Sequence, residues 1–86
     1  MVIFRELLAW KHHVSPEEVP EVLFDRPLYR KVQKGHVPGE DLYAALEQTD
    51  AGRYLIIFFI YKATREALIL SARDMDAKER RQYARR

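Results

Sequence analysis

Eight consecutive apolar residues, Tyr54–Tyr61, constrain the fold of this 86-residue chain more than any other segment. The run is rich in isoleucine and aromatic residues, which favour strands, and both of its alternating sets of side chains are apolar. Such a strand needs cover on both faces, so it is predicted to be the central strand of a sheet. It is too short to cross a bilayer as a helix, so no membrane partner is expected.

The composition favours one packed domain over residues 1–86. Hydrophobic residues make up 48% of the chain, which argues against disorder, and a chain of this length suits a single small core. Cysteine is absent, which excludes disulfides and thiolate metal sites. The three histidines, His12, His13 and His36, lack the spacing of metal ligands. We therefore expect neither a metal nor a cofactor.

Charged residues are unevenly distributed along the chain. Residues 1–52 hold six Lys/Arg and nine Asp/Glu, whereas residues 53–86 hold nine and four. A basic C-terminal part suits a polyanion such as RNA, although it is also a common way of keeping a protein soluble. The segment Met1–Glu6 carries charges where a signal peptide would be apolar, so a soluble cytoplasmic protein is expected.

Two helices are predicted before the strands. Apolar residues recur at helical spacing from the start of the chain, which predicts a first helix over residues 3–12. Ser15, Pro16 and Glu18 form the pattern of a helix N-terminus, so a second helix is predicted over residues 16–24. Pro20 should keep this second helix short or kink it.

Four strands are predicted after the helices, at residues 28–34, 41–49, 53–61 and 68–73. The first of them carries alternating charges, as an edge strand does, and residues 50–52 form a tight hairpin. Short connections favour pairing between consecutive strands. The prediction is an α+β fold, an antiparallel four-stranded meander with two N-terminal helices and one C-terminal helix packed on one face.

The last quarter of the chain places polar groups where the final strand ends. Arg73 lies at the rim of the predicted sheet, and Asp76 with Glu79 forms a capping box that starts the last helix one residue after Asp76. Glu79, Arg80 and Tyr83 share one flank of that helix. Two guanidiniums, a carboxylate and a phenol form a set suited to phosphate, although capping, ion pairing and packing explain them equally well.

Three basic residues elsewhere are further candidates. Lys11 falls within the apolar stripe of the first predicted helix, where it either extends to solvent or binds an anion. His12 ends the same helix, where an imidazole also interacts favourably with the helix dipole. Arg53 begins a strand beside the predicted hairpin. Each is compatible with a structural role or with binding to RNA.

The ordered motifs resemble one protein family. They are Lys11-His12-His13-Val14, Leu23-Phe24-Asp25, Gly52-Arg53-Tyr54-Leu55, Ser71-Ala72-Arg73, and Glu79-Arg80 followed by Tyr83. In this order and spacing they resemble BrnT, the toxin of a bacterial type II toxin–antitoxin pair, whose fold is similar to that of the RelE ribonucleases. The family usually opens with a short strand, whereas a helix is predicted here, and His13 stands where glycine is common.

The resemblance implies an endoribonuclease that cuts RNA with little sequence preference and thereby blocks translation. It also implies a BrnA-like antitoxin with a ribbon-helix-helix region, through which the pair would bind and repress its own promoter DNA. Cleavage would proceed without metal, by attack of the RNA 2′-OH on the adjacent phosphate, which needs positive charge on the developing phosphorane. Arg73 and Arg80 are predicted to hold that phosphate, and Arg53 to contact the RNA backbone.

Acid and base roles have two candidates each. The base is predicted to be Glu79 or His12, and the acid that protonates the leaving oxygen is predicted to be Tyr83 or Lys11. Two other functions stay open: a non-catalytic module that binds RNA through the same basic surface, and a protein-interaction module that uses the N-terminal helices.

Overall fold

The computed structural model describes residues 3–6, 14, 17–35 and 39–85, and residues 3–6 are described by their backbone. Within these residues, five strands and two helices follow one another along the chain. They are β1 (Ile3–Glu6), α1 (Glu18–Phe24), β2 (Leu28–Gln33), β3 (Leu42–Gln48), β4 (Tyr54–Tyr61), β5 (Glu66–Asp74) and α2 (Ala77–Ala84).

The strands form one sheet in the order β1-β5-β4-β3-β2. The four strands from β2 to β5 pair antiparallel with their chain neighbours, which confirms the predicted meander. The apolar strand β4 is the middle strand, and β2 lies at one edge, as predicted. The predicted bounds of these strands agree with the observed ones to within two residues.

The opening of the chain differs from its prediction. Residues 3–6 form a strand that pairs parallel with β5, with Ile3 opposite Glu66 and Glu6 opposite Ile69. The helix predicted from residue 3 is therefore wrong over these four residues, because pairing with a distant strand outweighs local helical spacing. The first element that the structure describes is therefore a strand, and the departure from the resembled family that the predicted helix implied is not observed. Residues 7–12 of the predicted helix lie outside the described residues.

The second predicted helix corresponds to α1. It begins at Glu18, two residues later than predicted, and Ser15 and Pro16 lie outside the described residues. Pro20 falls in its first turn, where proline is tolerated, and the helix is only seven residues long. In the part of the chain that is described, α1 is the single helix before the meander, so two N-terminal helices are not observed.

The hairpin between β3 and β4 forms as predicted. The backbone N–H of Thr49 donates to the carbonyl of Arg53 at 2.8 Å, and that of Gly52 donates to Thr49 at 2.9 Å. Gly52 has a φ of +92°, which glycine adopts without a steric penalty. This turn fixes the start of β4 and with it the position of Tyr54.

The two helices lie on opposite faces of the sheet, which corrects the prediction that all helices share one face. Val19, Val22 and Leu23 of α1 pack in the larger cluster, which also contains Ile57 and Ile69. On the opposite face, Tyr83 of α2 packs in a second cluster, whose other members are Ala44, Leu46, Ile56, Met75, Leu28, Tyr54 and Phe58. Residues of β4 alternate between the two clusters, so both of its faces are covered. No helix in the described ranges is long and apolar enough to span a membrane.

Candidate functional site

The end of β5 and the start of α2 are joined by an ion pair between Arg73 and Glu79. Nη1 and Nη2 of Arg73 donate to Oε1 and Oε2 of Glu79, each at 2.8 Å, which is the bidentate geometry of a strong charge-assisted pair. Nη1 also donates to the carbonyl of Asp74 at 3.0 Å. The planar guanidinium is therefore fixed in position at the rim of the sheet.

Glu79 also forms the predicted capping box with Asp76. The Glu79 N–H donates to Oδ1 of Asp76 at 2.8 Å, and the Asp76 N–H donates to Oε1 of Glu79 at 2.9 Å. The helix begins at Ala77, as predicted. One carboxylate thus starts the helix and holds Arg73 at the same time.

Burial and charge differ between the two partners of this ion pair. The side chain of Glu79 is 11% exposed, whereas that of Arg73 is 33% exposed and remains accessible to a ligand. The hydrogen bond from Arg73 lowers the pKa of Glu79, the N–H of Asp76 lowers it further, and partial burial opposes both. The same hydrogen bond raises the pKa of Arg73. At neutral pH the pair is therefore fully ionised.

Arg80 and Tyr83 pack against Tyr54 at the start of β4. The Cζ atom of Arg80 lies 4.1 Å from the centroid of the Tyr54 ring, a cation–π contact, and Arg80 is exposed. The Tyr83 ring meets Tyr54 edge to face, with centroids 6.1 Å apart. Arg73 makes a second cation–π contact, with its Cζ atom 5.4 Å from the centroid of the Phe58 ring. Two guanidiniums are thus positioned on aromatic rings beside one another on the face that carries α2.

The hydroxyl of Tyr83 is directed towards β3. It donates to Oε1 of Glu47, and it accepts a hydrogen bond from the N–H of Gln48 at 3.3 Å. Glu47 is 5% exposed, so this phenol supplies a partner to a carboxylate that is otherwise costly to bury. The contact anchors α2 to the end of β3.

Arg30 is a third guanidinium in this region, and it was not among the site residues predicted from the sequence. It is half-buried on β2, and its Nη1 donates to Oε1 of Gln82 in α2. Its charge also contributes to the lowered pKa of Glu79, which places it within electrostatic range of the Arg73–Glu79 pair. The sequence shows only a basic pair, Arg30–Lys31, on the predicted edge strand, and this pair does not indicate that Arg30 reaches α2.

Arg53 lies apart from this cluster, towards α1. Its Nη1 donates to both carboxylate oxygens of Glu18, at 2.9 and 3.2 Å, and its Nη2 donates to Asp74 at 3.2 Å. These bonds connect α1 to the β3–β4 hairpin and to the end of β5. A contact between Arg53 and RNA requires exchange of the exposed Asp74 ion pair. Lys11 and His12 lie outside the described residues.

Arg73 bonds Glu79 of α2, Arg30 bonds Gln82 of the same helix, and Arg80 belongs to it; we name these three arginines the arginine cluster. Guanidinium groups favour phosphate oxygens, which they contact in a planar, bidentate manner. The aromatic rings beneath Arg73 and Arg80 restrict both side chains, which reduces the entropy lost when a ligand binds. Among the described residues, no group of three or more His, Cys, Asp or Glu side chains is placed to hold a metal ion. The three guanidinium groups give this surface side chains whose chemistry suits an anion.

A comparison with protein families identifies a family that this chain matches over most of its length. The model of the family described as the ribonuclease toxin BrnT of type II toxin–antitoxin systems matches residues 6–79. This range includes Arg30, Arg73 and Glu79 and ends immediately before Arg80. No curated protein matches the chain, and no solved structure matches it.

Proposed function

Because the chain belongs to the family of BrnT ribonuclease toxins of type II toxin–antitoxin systems, we propose that its arginine cluster binds the RNA phosphate at which cleavage occurs. The observation that carries this proposal is the bidentate bond from Arg73 to Glu79, which holds an accessible guanidinium in a fixed plane at the sheet rim. The RNA substrate and an antitoxin partner follow from the family.

The proposed chemistry is attack of the 2′-OH on the adjacent phosphate, without a metal ion. The phosphorane that forms carries more negative charge than the ground state, so donors fixed in advance stabilise it preferentially. Arg73 offers the N–H groups that are not bonded to Glu79 or to the Asp74 carbonyl, and Arg80 lies on Tyr54. Arg30 supplies a third positive charge from β2. These side chains provide the positive charge that a metal ion would otherwise supply.

Glu79 is assigned a positioning role. Both of its oxygens accept hydrogen bonds from Arg73, and its pKa is lowered, so it is a weak base at neutral pH. His12 remains the candidate base and Lys11 a candidate acid, on the sequence motif alone. Tyr83 holds α2 through Glu47 and is a candidate acid only if that bond opens.

The biological setting that we propose follows the family resemblance. The toxin domain spans residues 1–86, has a RelE-like fold and acts in the cytoplasm, where it inhibits translation by cutting RNA. A BrnA-like ribbon-helix-helix antitoxin neutralises it, and the pair contacts promoter DNA through the antitoxin.

The first prediction concerns Arg73. We expect Arg73→Ala to abolish growth arrest on induction in a bacterial host, because the best-ordered phosphate donor is lost. Cleavage of RNA by the purified protein should fall by about 100-fold or more, the usual effect of removing one preorganised donor. Arg73→Lys should recover little activity, since an ammonium cannot reproduce the planar, bidentate contact.

Arg81→Ala is the matched control for this substitution. Arg81 is exposed on the opposite flank of α2, so its loss removes the same charge without changing the arginine cluster. Thermal unfolding should verify that both variants are folded. Full toxicity in a folded Arg73→Ala protein would exclude Arg73 from the site. Salt-dependent RNA binding without cleavage by the unmodified chain would instead favour a non-catalytic RNA-binding role.

A further inference from the structure

One half of the sheet face that carries α2 is left uncovered by that helix. The helix lies across the strands, since Glu79 reaches Arg73 on β5 and Gln82 reaches Arg30 on β2. A helix with its side chains is about 10 Å wide, whereas an eight-residue strand such as β4 is about 26 Å long. The part of the face beyond Phe58 therefore has no helix over it in the described structure.

This uncovered area is apolar. Leu42, Ile60 and Leu68 pair in register across β3, β4 and β5, and they form one row on the face that also carries Phe58. Leu70 joins this row beside a cavity of about 350 Å³ that is lined by Leu42, Ile60 and Lys34. All four apolar side chains are partly exposed. We name Leu42, Ile60, Leu68 and Leu70 the open face.

Positive charge borders the open face. Lys34 lies at the cavity, and Arg30 and Arg73 lie at the border with α2. The acidic neighbours include Glu40 at the cavity, Glu66 two residues before Leu68 on the same face of β5, and Glu79, which is paired with Arg73. A partner that covers this area therefore needs apolar side chains for the row and acidic side chains where it meets Arg30 and Arg73, at the border with α2.

We propose that the open face is the docking site of the antitoxin, and that an amphipathic helix with an acidic flank lies on it beside α2. In the described structure, a helix covers part of each face of this sheet, α1 on one and α2 on the other. A second copy of the chain would bring the arginines at the borders of both copies together, and these like charges repel. RNA is a less suitable partner, because phosphates do not interact favourably with a row of leucine and isoleucine side chains. The inference rests on the toxin–antitoxin family and on the proposed role of Arg73.

Docking at this position explains how the toxin would be neutralised. A helix on the open face would lie directly beside Phe58 and Arg73, since Phe58 is two residues before Ile60 and on the same face of β4. Its acidic side chains would compete with phosphate for the arginine cluster. The same contact would therefore provide binding energy and exclude RNA.

The test uses single cysteines, because the chain contains none. Leu42→Cys places a thiol on the open face, and Phe24→Cys places one on the exposed end of α1, where Phe24 is 61% exposed on the other side of the sheet. The antitoxin is defined functionally, as the protein encoded next to the toxin gene that reverses growth arrest. Each full-length variant is labelled with a maleimide, free and in complex.

We expect the antitoxin to slow labelling at position 42 by at least about tenfold and to leave position 24 unchanged. Equal labelling of position 42 in the free and bound protein would overturn the proposal, as would protection of position 24 alone. Protection of position 42 by a 2′-O-methyl RNA in the absence of antitoxin would assign the open face to RNA instead.

A second measurement uses charge on the same surfaces. Leu70→Asp should weaken the antitoxin complex by about 30-fold or more, whereas Phe24→Asp should leave its Kd unchanged. RNA cleavage by both variants without antitoxin should persist, which verifies folding and separates this inference from the proposed role of Arg73. Unchanged affinity for the antitoxin in a folded, active Leu70→Asp protein would contradict the proposal that the open face is the docking site. If Leu70→Asp fails to fold, the labelling of position 42 decides.

Discussion

The Glu79 carboxylate accepts three hydrogen bonds, two from the Arg73 guanidinium and one from the N–H of Asp76. The sequence offered capping and general-base catalysis as alternatives for this residue. The contacts favour capping together with positioning of Arg73, because both carboxylate oxygens already accept hydrogen bonds from the guanidinium and the side chain is only 11% exposed. A residue that acts in this way affects both stability and catalysis.

The pH dependence of folding follows from the lowered pKa of Glu79. Since the folded-state pKa lies below the ordinary value of 4.5, the unfolded chain takes up the proton first as the pH falls. The stabilisation by Glu79 is therefore fully present above pH 4.5 and is lost as the pH falls through the folded-state pKa. We expect Glu79→Gln to lower the free energy of unfolding at pH 7 by about 2 kcal/mol, as for a lost charged hydrogen bond.

Urea unfolding at several pH values checks this expectation. The difference between the unmodified chain and Glu79→Gln should be constant from pH 7 to about pH 5 and should shrink at lower pH. Glu66→Gln, on the opposite end of β5, is the control for removal of one carboxylate. A Glu79→Gln protein with unchanged stability at pH 7 would contradict the positioning role.

Arg30 shows what the sequence could not reveal at the scale of single residues. Arg73, Glu79 and Arg80 lie within eight positions of each other, so strand alternation and a capping box were sufficient to group them. Arg30 reaches the same region only because β2 pairs with β3 and α2 crosses above both. Two long-range pairings are required, and neither leaves a local pattern in the sequence.

Among the elements, β1 is the one whose type was predicted wrongly from the periodicity of its apolar residues. Its four residues contain isoleucine and phenylalanine, which suit strands, but they also begin a helical repeat of apolar residues. The partner strand β5 lies more than sixty residues further along the chain. The start of α2 was predictable, since its capping box is local, whereas the face of the sheet on which it packs was not.

Tyr83 tests whether α2 is held in place by its hydroxyl or uses that hydroxyl in catalysis. Tyr83→Phe keeps the ring on Tyr54 and removes the donor to the buried Glu47. We expect the free energy of unfolding to fall by about 1.5 kcal/mol, because Glu47 loses a hydrogen bond. The kcat for RNA cleavage should fall far less than the roughly 100-fold that loss of a general acid produces.

Urea unfolding and single-turnover cleavage of the same preparation separate these two effects. Tyr61→Phe is the control for loss of a phenol, because Tyr61 is exposed at the far end of β4. A large fall in kcat with unchanged stability would restore Tyr83 as the acid. That outcome would also require the bond to Glu47 to open when RNA binds.

At the scale of the whole molecule, the fold distributes charged residues differently from their order in the sequence. By sequence, residues 53–86 are the basic part of the chain and residues 1–52 the acidic part. In the structure, Arg30 from the acidic part joins Arg73 and Arg80 around α2, while Arg53 from the basic part is bound by Glu18 and Asp74. The surface that we propose to bind RNA is therefore a product of topology and differs from the basic half of the sequence.

This difference can be measured through the salt dependence of RNA binding. Each phosphate contact to a single strand contributes about 0.7 to the slope of log K against log salt. If Arg30 contacts a phosphate, Arg30→Gln should reduce the slope by about that amount. A 2′-O-methyl RNA is the ligand, because it lacks the attacking hydroxyl and is not cut.

Arg65→Gln is the matched control. Arg65 lies in the exposed turn before β5, at the other end of this strand from Arg73, so its substitution removes the same charge and should leave the slope unchanged. Equal slopes for the two variants would mean that RNA senses only the net charge of the protein. Arg30 would then be a structural partner of Gln82, and the arginine cluster would contain two residues that bind phosphate.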